Sequence, residues 1–185
     1  MPRLVAFLRA INVGGHTVPM AKLRTLFEAH GLTDVETFIA SGNVLFSSSS
    51  RDIGSLERKI EGRLRASLGY EVKTFVRSLP EVAAIARYKP FAEARMRSAG
   101  ALCVGFVAEP LGRAATTSLM ALRTEIDDFH VHGREVYWLC VKRQGESKFS
   151  NMAFERALKI SVTFRGVNTI ARLAERYALL DGADR

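Results

Sequence analysis

The order in which strand-like and helix-like periodicities follow one another most constrains the fold of this chain. Residues 1–80 open with Pro2–Arg9, where apolar residues occupy both alternating faces, which predicts a central strand covered on both sides. An amphipathic helix, two short strands, a second amphipathic helix and a last strand follow. This β-α-β-β-α-β order predicts the split βαβ unit of ferredoxin-like folds.

Residues that favour the start or the end of a helix support the predicted helices. A helix begins near Pro19 and ends at Gly31, and a second helix is capped by Asp52 and ends at Gly69, because Pro and Asp favour helix starts and Gly favours helix ends. The remaining strands of this half are predicted at Val35–Ala40, Val44–Ser47 and Val72–Arg77.

Residues 81–185 repeat this order without obvious residue identity. The predicted strands are Ala101–Val107, Asp128–His132, Glu135–Val141 and Ile160–Phe164, with helices at Pro80–Arg87, Ala114–Arg123 and from Ser150 to Lys159, and an extra helix after Asn168. We therefore predict an α+β fold of two ferredoxin-like units in tandem, residues 1–80 and 81–185, with antiparallel sheets and an extra C-terminal helix.

Composition narrows the class of protein. The chain has 185 residues, of which 48% are hydrophobic and 25% charged, as is ordinary for soluble domains. The apolar run Leu4–Leu8 is too short for a signal peptide, and no run approaches a membrane span, so we expect a cytoplasmic protein without membrane contact. Cys103 and Cys140 are expected to be buried, reduced thiols, and no spacing indicates a metal site.

The net charge of +8 is shared equally by the two halves, without a basic tail. Such a diffuse positive field favours anionic partners in general, including nucleic acid, and selects none of them.

Two glycine-rich segments are expected to form one surface. Arg9, Asn12, Gly14 and Gly15 follow the first strand, and Ser41-Gly42-Asn43 joins the second and third strands, at the same end of the predicted sheet. Glycine lets a ligand approach the backbone, N–H groups before a helix favour an anion, and Arg9 adds a fork for phosphate or carboxylate. The alternative is a purely structural loop in which both asparagines bond the backbone.

A second cationic group is predicted in the other half. The predicted topology places Lys142, Arg143 and Lys148 near Arg165 and the helix start at Asn168-Thr169, which also suits an anion. The alternative is ordinary helix capping by Asn168 beside solvated lysines.

Other polar residues are weaker candidates. His130 and His132 share a strand face without a third metal ligand, His16 is a candidate proton carrier, and Asp127-Asp128 is expected in an exposed turn. Neither a catalytic set nor a cofactor is indicated.

The segments R-A-I-N-V-G-G, V-P-M-A-K-L-R and T-F-I-A-S-G-N-V-L-F resemble the bacterial family known as domain of unknown function 1697. The similarity continues through Tyr88–Phe91, Arg134–Tyr137, Ser147–Phe149 and Thr163–Thr169. It implies a two-part ferredoxin-like α+β fold and no established activity. The family tends to read T-A-R-N-W-N-T near the C-terminus, where this chain has Gly166 and Val167 in place of asparagine and tryptophan.

Three functions remain open from the sequence. The first is binding of a small phosphate- or carboxylate-bearing ligand at the Arg9–Gly15 and Ser41–Asn43 surface, with or without catalysis. The second is nucleic-acid binding, although the RNP1 pattern is missing from Val44–Ser47. The third is a non-catalytic protein-interaction domain, suggested by apolar residues on both sheet faces.

Overall fold

The computed structural model describes residues 1–12, 14–39 and 42–181, with side chains as far as Tyr177. Within these residues the chain is α+β, with two four-stranded antiparallel sheets and seven α-helices. Contacts divide it into two units, Met1–Ala83 with the residues from Leu173 onward, and Ala84–Arg172. No described helix is both long and apolar enough to cross a bilayer.

The first sheet is formed by four strands and covered by two helices. Its elements are β1 (Arg3–Leu8), α1 (Met20–Glu28), β2 (Thr33–Thr37), β3 (Asn43–Ser47), α2 (Ile53–Leu68) and β4 (Thr74–Ser78). The strand order is β2-β3-β1-β4, and each neighbouring pair is antiparallel. The two helices bury one apolar stripe each against the sheet, with Leu23 and Phe27 on α1 and Leu56, Ile60 and Leu64 on α2.

The predicted ends of α2 are confirmed. The Asp52 side chain accepts a hydrogen bond from the Ser55 N–H at 2.9 Å, and Gly69 ends the helix in the left-handed conformation with a φ of 83°. The predicted strand Val35–Ala40 is shifted, because the observed strand ends at Thr37 and Ile39 takes a left-handed φ of 60°. The connection between β2 and β3 is therefore longer than the predicted three-residue turn.

Carboxylates of the same unit accept hydrogen bonds from the N–H groups on the free side of edge strand β4. Three alternate N–H groups of β4 each donate to a glutamate: Thr74 to Glu61 at 3.0 Å, Val76 to Glu57 at 2.7 Å and Ser78 to Glu81 at 2.7 Å. We call Glu57, Glu61 and Glu81 the edge carboxylates. Because an exposed edge offers unpaired N–H groups to other chains, these bonds protect β4 against pairing.

The second unit repeats the strand order of the first. Its sheet consists of β5 (Ala101–Phe106), β6 (Asp127–His132), β7 (Glu135–Cys140) and β8 (Thr163–Gly166), in the order β6-β7-β5-β8. Helices α5 (Arg113–Met120) and α6 (Asn151–Leu158) pack on one face, and α3 (Leu79–Arg87) and α4 (Glu93–Ser98) precede β5. The six-residue helix α4 lies in a segment for which the sequence analysis predicted neither a helix nor a strand.

The second core is aromatic, with Trp138, Phe149 and Phe164 in mutual ring contact. Asp127, expected in an exposed turn, is instead buried at the start of β6 and accepts a hydrogen bond from Trp138 Nε1 at 2.8 Å. The Ser147 hydroxyl donates to the same carboxylate at 2.8 Å. The exposed-turn prediction was wrong because these donors come from distant positions in the sequence. Both cysteines are free and buried, as predicted.

Helix α7 (Val167–Asp181) follows β8, and its residues from Leu173 onward belong to the first unit. There the Tyr177 hydroxyl donates to Glu36 Oε2 at 3.0 Å, and Arg3 Nη2 lies 3.0 Å from Glu36 Oε1. Burial raises the pKa of Tyr177 to about 12. The boundary between residues 80 and 81 stays a prediction, whereas the contacts group this part of α7 with β2.

Candidate functional site

The loop after β1, residues 9–18, meets the connection between β2 and β3, residues 38–42. We call these segments the glycine loop and the hairpin connection. The Leu8 N–H donates to the Gly42 carbonyl at 2.8 Å, and a Cβ on Gly42 would lie 3.1 Å from Ile11 Cβ. Close approach to the glycine loop therefore explains glycine at position 42. Ser41 lies outside the described residues.

Both asparagines of this surface hold the backbone. Asn12 has a left-handed φ of 56°, and its Oδ1 accepts a hydrogen bond from the Val18 N–H at 2.7 Å. Asn43 is fully buried, and its Nδ2 donates to the Phe38 carbonyl at 3.0 Å. The amides thus play the structural role that the sequence left open as an alternative, because they fix the backbone conformation of the glycine loop and of the hairpin connection.

The backbone of this surface is unusual. Gly14 and Gly15 have φ values of 61° and 86° and are exposed, and no described atom beyond their chain neighbours lies within 4 Å of where a Cβ would lie. Ala10 has a φ of 64° and Ile39 a φ of 60°. A positive φ is uncommon for a residue with a Cβ and an outlier for a β-branched residue such as Ile39.

Arg9 links the glycine loop to Lys73, the residue just before β4. Its backbone N–H donates to the Lys73 carbonyl at 2.8 Å, and Lys73 Nζ lies 3.1 Å from Glu61 Oε2. His16 stacks on Tyr70 with ring centroids 3.9 Å apart. The Tyr70 hydroxyl is buried without a hydrogen-bond partner among the described residues, and burial raises its pKa.

Two of the predicted cations of the second unit, Arg165 and Lys148, are placed by different edge strands. Arg165 in edge strand β8 donates from Nη1 to Thr163 Oγ1 at 2.8 Å, and burial lowers the pKa of its guanidinium to about 10. Lys148 is exposed and follows Ser147, which is anchored to Asp127 in β6, the opposite edge strand. We therefore consider Lys148 separately from Arg165.

Asn168 and Thr169 lie in the first turn of α7. Asn168 does not precede this helix as the predicted cap does, because α7 already begins at Val167. Asn168 is exposed and lines a cavity that the sequence analysis did not find.

This cavity, which we call the cleft, has a volume of about 620 Å³ and is lined entirely by residues of the second unit. Its charged lining residues are Arg87, Lys89, Glu93 and Arg97, and its apolar lining residues include Ile85, Met96, Leu102 and Val167. The sequence signal that could have indicated it is the run of cations between residues 87 and 97.

Tyr88, which also lines the cleft, contacts both histidines of β6. Its hydroxyl lies 2.8 Å from His130 Nε2, and its ring stacks on His132 with centroids 4.1 Å apart. Burial, with a smaller effect of His132, lowers the pKa of His130. The hydroxyl of Tyr137 is buried there without a hydrogen-bond partner among the described residues, and burial raises its pKa. The structure describes no group of three His, Cys, Asp or Glu side chains able to hold a metal.

These features define an α+β protein of two four-stranded units whose unusual polar surfaces are a glycine loop and a basic cleft. The chain belongs to the family described as "Protein of unknown function (DUF1697)", whose model matches residues 1–137.

A comparison with solved structures found the conserved bacterial protein SP0830 from Streptococcus pneumoniae, with 23% sequence identity and a TM-score of 0.71. The match covers 95% of this chain and 98% of that chain, and at this identity it shows the fold alone. No curated protein matches the chain.

Proposed function

We propose that this protein binds a small anionic ligand, bearing phosphate or carboxylate, where the glycine loop meets the hairpin connection. The observation that carries the proposal is the concentration of left-handed residues with side chains, Ala10, Asn12 and Ile39, in these two segments. Each such residue costs about 1–3 kcal/mol, and strain of this kind clusters at ligand-binding sites.

The chemistry of the surface suits an anion. Exposed backbone at Gly14 and Gly15 allows close approach, and N–H groups of left-handed turns form concave anion sites. In this proposal Arg9 supplies the charge and the Ser41 hydroxyl a further contact, while Asn12, Gly42 and Asn43 hold the loop shape. Phosphate and carboxylate both match the planar fork of arginine.

We also infer that each unit is a ferredoxin-like domain. The support is the strand order of the two sheets, β2-β3-β1-β4 and β6-β7-β5-β8. In each unit the strand that comes first in the sequence lies between the third and the fourth, and the strand that comes second is the edge strand next to the third. Fold alone assigns no activity, because unrelated functions share this architecture. A small ligand is favoured over stacked nucleic-acid bases because Val5 and Phe7, on the sheet face away from α1 and α2, are buried.

Thermal unfolding with and without ligand tests the proposal. The probes are inorganic phosphate, pyrophosphate, AMP and citrate, and a bound probe at ~100 times its Kd stabilises the fold by about 2.7 kcal/mol. We expect at least one probe to raise the Tm, and Arg9→Ala and Gly14→Ala to remove that increase. Gly14→Ala acts because a Cβ disfavours the left-handed conformation there.

Arg51→Ala is the matched control, because Arg51 is an exposed cation of the same unit in the loop before α2. It should keep the full ligand-induced shift. A shift of wild-type size in Arg9→Ala and Gly14→Ala, each measured against its own unliganded state, contradicts the site, as does the absence of a shift with all four probes.

A further inference from the structure

We propose that the second unit holds a separate binding site, in the cleft, for an organic anion of about nucleotide size that has an apolar or aromatic body. The inference does not depend on the glycine loop. It rests on the size of the cleft, on its lining by both charged and apolar residues, and on the weak pairing of its cations.

The size and lining fit a small molecule. A volume of about 620 Å³ lies within the range of about 300–1,000 Å³ typical of ligand pockets. Ile85, Met96, Leu102 and Val167 supply an apolar wall, of which Met96 adapts to irregular shapes. A ligand that filled this wall would therefore gain affinity from apolar burial as well as from charge.

The cations are available for a ligand. Lys89 Nζ and Arg97 Nη1 lie 3.7 and 3.6 Å from the same atom, Oε1 of Glu93, and all three side chains are at least 60% exposed. Exposed pairs of this length contribute little to stability, so an incoming anion can replace the carboxylate at low cost. The Arg87 guanidinium makes no hydrogen bond or ion pair with the described residues.

The start of α7 also favours an anionic ligand in the cleft. Val167 and Asn168, in the first turn of this 15-residue helix, line the cleft. The N–H groups of a first helical turn lack partners within the helix and carry the positive end of its dipole. Three cations, one carboxylate and a helix start thus surround one half-apolar cavity, a combination that selects an amphiphilic anion over a neutral ligand or a bare ion.

Amide chemical shifts of the labelled full chain test this site. The probes are AMP, phenyl phosphate and octanoate, with inorganic phosphate and adenosine as the separate charged and apolar parts. At least one amphiphilic anion should shift amides of residues 85–102 and 167–168, and both separate parts should bind about tenfold more weakly or worse. Arg87→Gln with Arg97→Gln should weaken binding about tenfold or more, because each charge-assisted hydrogen bond contributes about 1.5–3 kcal/mol.

Three further variants distinguish the contribution of charge to binding from that of the free volume of the cleft. Ala99→Phe, at the end of α4, should fill the cleft and abolish binding with every charge kept. Glu93→Gln removes the competing carboxylate and should tighten binding severalfold, which a merely structural role would not produce. Arg113→Gln, an exposed cation on α5, should leave affinity unchanged.

The inference is overturned if no amphiphilic probe shifts the cleft amides, or if the double variant and Ala99→Phe keep wild-type affinity. Inorganic phosphate binding as tightly as AMP overturns the amphiphile assignment. Shifts confined to the glycine loop would overturn the cleft while supporting the first site, so failure of one proposal is distinguishable from failure of the other.

Discussion

The two units share one strand order but differ in the burial of their last edge strand, since four of the five residues of β4 are buried and one of the four residues of β8. In the first unit β4 donates three N–H groups to the edge carboxylates. In the second unit Glu155 of α6 lies at the corresponding edge, where its Oε1 accepts a hydrogen bond from the Val162 N–H, just before β8, at 3.1 Å. The same topology can therefore be built with different burial of its last edge, and in both units acidic side chains play a structural part at that edge although the net charge of the protein is +8.

The largest expected effect concerns close backbone approach. A Cβ on Gly100, at the start of the second sheet, would lie 2.2 Å from the Lys142 carbonyl oxygen, so the backbone would have to move. Gly100→Ala should lower the free energy of unfolding by about 3 kcal/mol.

Gly42→Ala in the first unit meets side chains at 3.1 Å and a left-handed φ of 77°, and should cost less, about 2 kcal/mol. Urea unfolding followed by circular dichroism measures both. An equal or reversed pair of values would show that the second sheet tolerates movement at residue 100.

The edge carboxylates give the next effect. Glu57 is 7% exposed and accepts the Val76 N–H, so Glu57→Ala leaves a buried donor unsatisfied and should cost about 2 kcal/mol. Glu155→Ala at the less buried edge should cost about 1 kcal/mol.

Glu57→Gln keeps an acceptor oxygen and is the control, since it should recover most of the loss. If the glutamine variant unfolds as easily as the alanine variant, the charge of Glu57 and not its hydrogen bond holds the edge.

The smallest effect is a pH dependence of the second unit. Burial, then His132, lowers the pKa of His130, while Asp128 opposes this shift. The unfolded chain therefore binds more protons below pH 6.5, so this contribution to stability is complete above that pH and is lost as pH falls through the folded pKa. The rings facing His130 are those of Tyr88, Phe91 and Tyr137.

His130→Gln should flatten the fall in Tm between pH 7 and pH 5. His30 of the first unit, whose pKa is also lowered, first by burial and then by Arg63, should keep its own share of the slope. An unchanged slope in His130→Gln would assign the acid sensitivity elsewhere.

Much of the fold was predictable because its signals are local. Each signal acts within a few residues. Examples are the run of β1 with apolar residues on both faces, the helix caps Asp52 and Ser150, and Gly69, where α2 ends. Periodicity then gave most elements in their order. The sequence analysis did not predict α4, because a helix of six residues makes less than two turns and shows no periodic pattern of apolar residues.

The site was less predictable because its chemistry depends on distant partners. Strand order brought Gly42 to the glycine loop, yet the sequence could not say that Asn43 would be buried and bonded to Phe38. Asp127 resembled a turn residue until Trp138 and Ser147 supplied donors. The cleft needed α4 and the start of α7 to be placed against β5, which no local pattern reports.

The membership of the second part of α7, from Leu173 onward, in the first unit has a consequence for how the chain folds during synthesis. Domains generally fold as units in the order in which they leave the ribosome. The first unit here is discontinuous, since Tyr177 supplies a partner for Glu36 only after residues 84–172 have been made. Of the two units, the one that begins earlier in the sequence is therefore completed later, and it stays unfinished in the nascent chain until the second part of α7 emerges.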